Sequence, residues 1–319
     1  MKKKLSLFVL SAGILFSNTI SAQNFKFIDR GNMNFSVKPG DDFFEYSNGT
    51  WVKNHPIPAK ESRWGSFNEI RDFNIKSVKL LLEETVAKQK SLTKGSVERR
   101  VADFYVAAMD SLRIESLGFD PIKSDLKKVQ DVQNREDLIK EIARFKTQGL
   151  GSPFFGSYVG QDRKNVKKMV PQFGQGGTSL PDRDYYLKSD SRTLKIQEAF
   201  KKYIATLFEL IGTPTNQAKS YAEQIFLLEK RLATAQMARV EMRDPYKTYN
   251  KFLLADFQKK TPLINWSEQF KLLGIPPQDS ILVGAPNYLI EVNNTLTDTP
   301  IENLKAYLIW NILKGSASY

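Results

Sequence analysis

The 319-residue chain contains no cysteine and a single histidine, His55. Without cysteine there is no disulfide, so the stability of the fold must come from burial of apolar side chains. A catalytic zinc site usually takes three protein ligands, mostly His and Glu, two of them one helical turn apart. One histidine cannot supply this set, and no His-Glu-x-x-His sequence is present. We therefore predict no metal ligand here, and we interpret His55, next to Pro56, as an exposed loop residue.

Other catalytic patterns are missing as well. The chain has no cysteine nucleophile and no Gly-x-Ser-x-Gly sequence, and His55 would be its only imidazole base. The acidic pair Asp41-Asp42 lacks the ligand spacing of a calcium loop, so we interpret it as a helix or turn cap. The residues of this chain therefore indicate no complete active site.

Long apolar runs are missing after the N-terminus. The run at residues 5–16 is about a dozen residues long, against roughly 20 for a membrane-spanning helix. It follows three lysines and precedes Ala22, which is typical of a Sec-type signal peptide. We predict that residues 1–22 are a signal peptide, that the protein is exported to the periplasm or the extracellular space, and that this segment is its only membrane contact. An uncleaved membrane anchor is the alternative.

The charge is strongly positive but dispersed. The chain has 47 Lys and Arg against 35 Asp and Glu, a formal net charge of +12. The basic residues form no stripe with interleaved aromatic residues, so we predict solvated helix faces and no nucleic-acid partner. A protein that binds polyanionic surfaces remains a third hypothesis.

The apolar pattern after residue 23 predicts a mainly α fold with one small β-hairpin. Residues 23–37 are predicted to be a linker and residues 38–319 the folded region. The hairpin is predicted around the turn at residues 161–165. The predicted helices cover about residues 66–88, 97–117, 134–148, 191–211, 215–240, 249–257 and 266–273, with further helices starting at Pro286 and Pro300. The last helix is so apolar that we expect it to need a partner outside the chain.

Four motifs in sequence order carry a resemblance to a known family. They are Pro39 to Phe44 with Tyr46, Gly49, Trp51, Ile57-Pro58 and Arg63 to Phe67; the LPDRDYYL segment that ends at Leu187; Leu228-Glu229 with Arg243-Asp244, Tyr249-Asn250 and Asn265-Trp266; and Tyr307 to Trp310. Together they resemble the N-terminal region of the neprilysin and endothelin-converting-enzyme family of zinc metallopeptidases. Asn48 stands where animal members carry a cysteine, which fits a bacterial, disulfide-free relative.

The resemblance implies a large helical lid over a cavity that admits small peptides, with N-terminal segments that pack on a catalytic domain. It implies zinc in the complete family member, where the metal polarises the scissile carbonyl and activates water, with a Glu as base. Those residues and the whole catalytic zinc domain would lie beyond Tyr319. On this hypothesis the chain is inactive alone, and its partners are small peptides and the missing catalytic domain.

The resemblance also assigns two substrate-binding residues, Arg63 and Arg71. Arg63 would grip the C-terminal carboxylate of a peptide, which a guanidinium can do with two parallel hydrogen bonds. Arg71, eight residues on, would hold the surroundings of Arg63 from the same helix face. Asn68 stands where the family has an acidic residue between them. The alternative for Arg63 is a surface arginine whose stem lies on Trp64.

A second function hypothesis comes from another class. The chain would then be a standalone peptide-binding or scaffold protein, derived from the lid and without an enzyme. Peptides with a free C-terminal carboxylate would be its ligands.

Overall fold

The computed structural model describes residues 28–59, 61 and 63–317. The predicted signal peptide lies outside the described residues. The chain forms two units, one that ends at Met109 and one that begins at Asp110. Among the described residues, no helix combines the length and the apolar character needed to cross a membrane.

The described part of the first unit contains three α-helices, α1 (Phe43–Asn54), α2 (Ser66–Ala87) and α3 (Val97–Met109). Helix α1 begins after Asp42, whose carboxylate accepts a hydrogen bond from the Glu45 amide at 2.8 Å. This is the expected use of an acidic N-cap residue, and it confirms the capping role predicted for the acidic pair. Part of the predicted linker packs on α1, because the amide of Asn34 donates to the carbonyl of Tyr46 at 2.8 Å.

This first unit has almost no buried core. Of its described residues, only Gly49 and Ala102 are buried. The aromatic and aliphatic side chains of its helices lie mostly at the surface, and Phe67 is 87% exposed. The large apolar side chains exposed on α2 and α3 are Phe67, Ile70, Phe73, Ile75, Val78, Leu80, Leu81, Val97, Val101, Phe104, Val106 and Met109. We call this set the apolar surface of the first unit.

The second unit contains eleven described helices and a small sheet. The helices are α4 (Ser111–Leu117), α5 (Lys123–Gln130), α6 (Arg135–Thr147), α7 (Asp184–Leu187), α8 (Ser191–Leu210), α9 (Thr215–Ala235), α10 (Arg239–Met242), α11 (Leu254–Lys260), α12 (Trp266–Leu272), α13 (Pro286–Asp298) and α14 (Ile301–Ser316). The predicted cap of α6 is confirmed, since Asn134 accepts from the Asp137 amide at 3.0 Å. The prediction of one helix over 215–240 is wrong, because α9 ends at Ala235.

The sheet has four strands, β1 (Phe155–Asp162), β2 (Asn165–Gln175), β3 (Asn250–Leu253) and β4 (Ser280–Val283), in the order β1-β2-β4-β3. Strands β1 and β2 form the predicted hairpin, so the mainly α fold with a hairpin is confirmed. Strand β4 pairs in parallel with β2 and antiparallel with β3. The helix predicted over 249–257 is partly wrong, because its first residues form β3 and α11 begins only at Leu254.

Helix α14 lies in the core of the second unit. Leu304, Tyr307, Leu308 and Trp310 are fully buried there, and the helix contacts α5, α8 and α9. The expectation that this helix needs a partner outside the chain is therefore wrong. Its apolar face is covered by other helices of the same unit, which places the main hydrophobic core after residue 110.

Candidate functional site

Arg63 lies in an extended segment just before α2. Helix α2 begins at Ser66, so Arg63 is outside the helix and its guanidinium is exposed. Among the described residues, no hydrogen bond or ion pair involves this side chain. Its five N–H donors are therefore available to a ligand, and a planar guanidinium matches the two oxygens of a carboxylate.

Arg71 is bound by acidic neighbours. Its Nη2 lies 2.9 Å from Glu61 Oε1 and 2.9 Å from Asp72 Oδ1. The hydrogen bond with Asp72, and then the one with Glu61, raise the pKa of Arg71 above its ordinary value. Glu61 lies two residues before Arg63, so the ion pair ties α2 to the segment that carries Arg63. The argument that both arginines share one helix face is wrong, because only Arg71 is helical.

His55 is less exposed than the sequence predicted. Its ring stacks on Trp51, with centroids 4.5 Å apart and planes 9° apart. The Nδ1–H donates to the carbonyl of Trp51 at 2.8 Å, and Nε2 lies 3.5 Å from Glu69 Oε1. The position outside the helix is as predicted, but the side chain is only partly exposed, at 39%. His55 closes the C-terminal end of α1 and contacts the first turn of α2.

The residues of this chain do not fit a zinc ion. One ring nitrogen of His55 is used by a backbone carbonyl, and within the described part of the chain no group of three or more His, Cys, Asp or Glu side chains could hold a metal. A zinc site needs three such ligands around one point.

The second unit contains a buried polar cluster around Glu229, of which the sequence indicated only the glutamate. Glu229 of α9 is fully buried and accepts from the Tyr186 hydroxyl at 2.5 Å and from the Ser179 amide at 2.9 Å. Lys314 donates to the Ser179 hydroxyl at 3.0 Å, and the indole of Trp310 lies 3.2 Å from Glu229. The sequence signal for this cluster was Glu229, a single acidic residue on the apolar face of a helix. The cluster fastens the LPDRDYYL segment to α9 and α14 through Tyr186.

Comparison with solved structures shows which class of protein shares this fold. The crystal structure of the Mycobacterium tuberculosis zinc metalloprotease Zmp1 in complex with an inhibitor matches with a TM-score of 0.78 and 26% identity, over 89% of this chain and 43% of that one. PepO from Lactobacillus rhamnosis shares the fold, with a TM-score of 0.67, 18% identity and coverage of 87% and 43%. The fold is thus that of the N-terminal part of zinc metallopeptidases.

Sequence comparison gives the family. Residues 39–319 match the N-terminal region of the family described as peptidase family M13. Endothelin-converting enzyme 1 is 30% identical over 302 residues in both Cavia porcellus and Homo sapiens, covering 90% of this chain. The chain belongs to peptidase family M13, which confirms the resemblance seen in its motifs. It spans 39% and 38% of the length of these two relatives.

Proposed function

We propose that this chain is the N-terminal part of an exported zinc metalloendopeptidase that acts on small peptides, and that it is inactive by itself. The observation that carries the proposal is the family match, which extends over residues 39–319. The matched relatives named above are an endothelin-converting enzyme and a zinc metalloprotease. The lack of a set of zinc ligands in this sequence supports the view that the catalytic step belongs to another part of the protein.

The apolar surface of the first unit supports the same proposal. Soluble proteins rarely leave a large contiguous apolar patch open to water, and such patches mark interaction sites. The unit exposes large side chains along both α2 and α3 while it buries only Gly49 and Ala102 among its described residues. A catalytic domain that packs on these helices would remove that surface from water. In this proposal, the partner of these helices is a catalytic zinc domain.

Arg63 and Arg71 take different roles in this proposal. Arg63 binds the C-terminal carboxylate of the peptide, because its guanidinium is exposed and engaged with no described neighbour. Arg71 is a positioning residue, because its ion pair with Glu61 at 2.9 Å fixes the approach to Arg63. Asn68 supplies no charge between them, so the carboxylate meets Arg63 without a competing acid at that position.

One experiment on the purified chain tests the proposal. Zinc content, cleavage of a short peptide and peptide affinity are measured with free-acid and amidated forms of the same peptide. We expect no stoichiometric zinc, no cleavage, and tighter binding of the free acid. Arg63→Ala and Arg63→Lys should both weaken binding of the free acid only, because lysine cannot form the paired hydrogen bonds. Arg100→Ala, an exposed arginine of α3, is the matched control.

Different results would contradict different parts of the proposal. Zinc at one ion per chain together with turnover would contradict the inactivity. An equal loss of affinity for the free-acid and amidated peptides would contradict the carboxylate role of Arg63. The alternative, a standalone peptide-binding protein, would show the same peptide affinities. The coding sequence after residue 319 distinguishes the two hypotheses, because the proposal requires a His-Glu-x-x-His sequence there. Export is tested by N-terminal sequencing of the secreted protein, which should begin near Gln23.

A further inference from the structure

We propose that the outer edge of β1 is a docking site for an extended acidic peptide, which adds a fifth strand to the sheet. In the strand order β1-β2-β4-β3, β1 lies at an edge. An extended segment can pair with such an edge through main-chain hydrogen bonds. The site lies in the second unit and does not involve Arg63.

The edge is open from Gly156 to Gly160, and the register shift and the buried charge of Asp162 come only at its far end, after Gln161. Within the described residues, the main-chain groups of residues 156–160 make no hydrogen bond outside their pairing with β2, and the carbonyl of Gln161 accepts from the Gln172 side chain at 3.0 Å. Natural edge strands usually carry lysine, proline or an inward charge that prevents pairing with other chains. Between Phe155 and Gln161 the strand has none of these residues. The main-chain groups on this side are therefore available to a partner.

The β1–β2 hairpin is fixed at its base, where Phe154 precedes β1. Phe154 has φ of 70°, the only positive φ at a non-glycine position among the described residues, and it is fully buried. The Tyr288 hydroxyl lies 2.6 Å from the carbonyl oxygen of Phe154 and 2.5 Å from that of Gly176. The ring of Phe154 packs on Tyr307 at 4.7 Å. A strained residue persists only where its surroundings fix it, so the edge is preorganised and little ordering is required on binding.

The side chains along the edge suit an extended partner. Tyr158 and Val159 are 62% and 45% exposed. Successive residues of a strand point to opposite faces of the sheet, so an added strand finds one apolar neighbour on each face. Cross-strand pairs of aromatic and β-branched residues stabilise such pairing.

The turn of the hairpin selects for acidic residues. Arg163 and Lys164 in the turn and Lys167 and Lys168 at the adjoining start of β2 are all exposed. The one carboxylate of the turn, Asp162, is buried and already bound by Lys251 Nζ at 2.8 Å and by the Tyr249 hydroxyl at 2.8 Å. The surface of the turn is thus positive without an exposed acid of its own. Charge complementarity favours a peptide whose acidic end lies beside this turn.

The test uses a fluorescent eight-residue peptide of alternating valine and threonine with two glutamates at one end, made in both orders and with an amidated C-terminus. Two further forms carry N-methyl groups on the odd or on the even amides. Only alternate amides of an added strand face β1. We therefore expect one methylated form to bind the purified chain at least about tenfold more weakly and the other to bind like the parent.

Protein variants test the contribution of the turn. Lys167→Glu/Lys168→Glu should weaken binding by at least about tenfold. The control Lys127→Glu/Lys128→Glu on α5 changes the net charge equally and should leave binding unchanged, as should Arg63→Ala. Circular dichroism confirms that each variant is folded. No measurable binding, equal affinity of both methylated forms, or an equal effect of the two double-lysine variants would overturn the proposal. Loss with Arg63→Ala would assign the binding to the site of the proposed function.

Discussion

Glu229 lies in an environment unlike that of an ordinary surface carboxylate, because its side chain is fully buried. Burial raises its pKa, while the charge of Lys314 and the hydrogen bonds from Tyr186 and Ser179 oppose that shift. Burial also raises the pKa of Tyr186 and lowers that of Lys314. A buried charge is tolerated only when its hydrogen bonds are complete. The cluster is therefore sensitive to removal of any one member.

We predict that Glu229→Ala lowers the free energy of unfolding by about 3–5 kcal/mol, because the donors of Tyr186 and Ser179 lose their acceptor and the nearby Lys314 loses an opposing charge. Glu229→Gln keeps the shape and one acceptor oxygen, so the loss should be smaller, about 1–3 kcal/mol. Urea unfolding at pH 7 measures both values. Glu136→Ala, which removes an exposed partner of Lys140, should change little. Equal losses for Glu229→Ala and Glu136→Ala would contradict the structural role of the cluster.

The raised pKa of Glu229 also fixes the sign of a pH effect. The folded state holds the Glu229 proton more tightly than the unfolded chain, in which the pKa is near 4.5. The contribution of this group to stability is thus full below that value and falls as the pH rises above it. Glu229→Gln cannot titrate, so the gap in unfolding free energy between the wild type and this variant should narrow from pH 4.5 towards pH 7. If the difference in unfolding free energy between the wild type and Glu229→Gln widens from pH 4.5 to pH 7, the pKa of Glu229 is not raised by folding.

At the scale of elements, α14 shows why an apolar helix at the end of a chain need not be an interface. Leu308 is fully buried against the other helices of its unit. We predict that Leu308→Ala lowers the free energy of unfolding by about 2–5 kcal/mol through lost burial and a residual cavity. Leu210→Ala, at the exposed end of α8, should cost no more than about 0.5 kcal/mol. Similar effects of the two substitutions in urea unfolding would show that α14 is not packed in this way.

The long helices were predictable because their periodicity is local. The helix predicted over 66–88 is observed at Ser66–Ala87, and that over 191–211 at Ser191–Leu210. The end of α9 was missed because its cause is distant in sequence. The side chain of Gln236 donates to the carbonyl of Gly176 at 3.0 Å, and the amide of Met237 donates to Gln175 at 2.9 Å. These contacts draw the chain out of the helix at a point where the local pattern continues.

The short strands could not be read from the sequence for a related reason. Strand β4 has four residues and pairs with β2 at only Gln172 and Phe173, more than 100 residues earlier in the chain. Strand β3 has four residues beside the start of α11, so its period-2 signal is too short to separate from a helix. For the candidate site, the sequence predicted the start of α2 after Arg63, but its argument that Arg63 shares a helix face with Arg71 is wrong. It could not reveal that Arg71 is held by Glu61, because that contact depends on the path of the loop.

At the scale of the whole molecule, the two units differ in how much of their apolar side-chain surface they bury. The unit after Asp110 encloses large side chains such as Trp266, Trp310 and Phe208, whereas the described part of the unit before it encloses almost none. A unit with so little apolar burial gains little stability from the hydrophobic effect. Burial within the described part of the first unit therefore does not account for its apolar surface, and the proposed function assigns that surface to a partner.

This argument predicts that Phe67→Ser/Phe73→Ser leaves the unfolding free energy within about 0.5 kcal/mol of the wild type per substitution, because both rings are exposed in this chain. The same variant should bind less of the dye ANS, which reports exposed apolar surface. The control Tyr246→Ser removes an isolated exposed ring of the second unit and should leave dye binding unchanged. A loss of several kcal/mol with the double variant would mean that these rings stabilise the isolated chain, and the surface could then no longer be assigned to a partner.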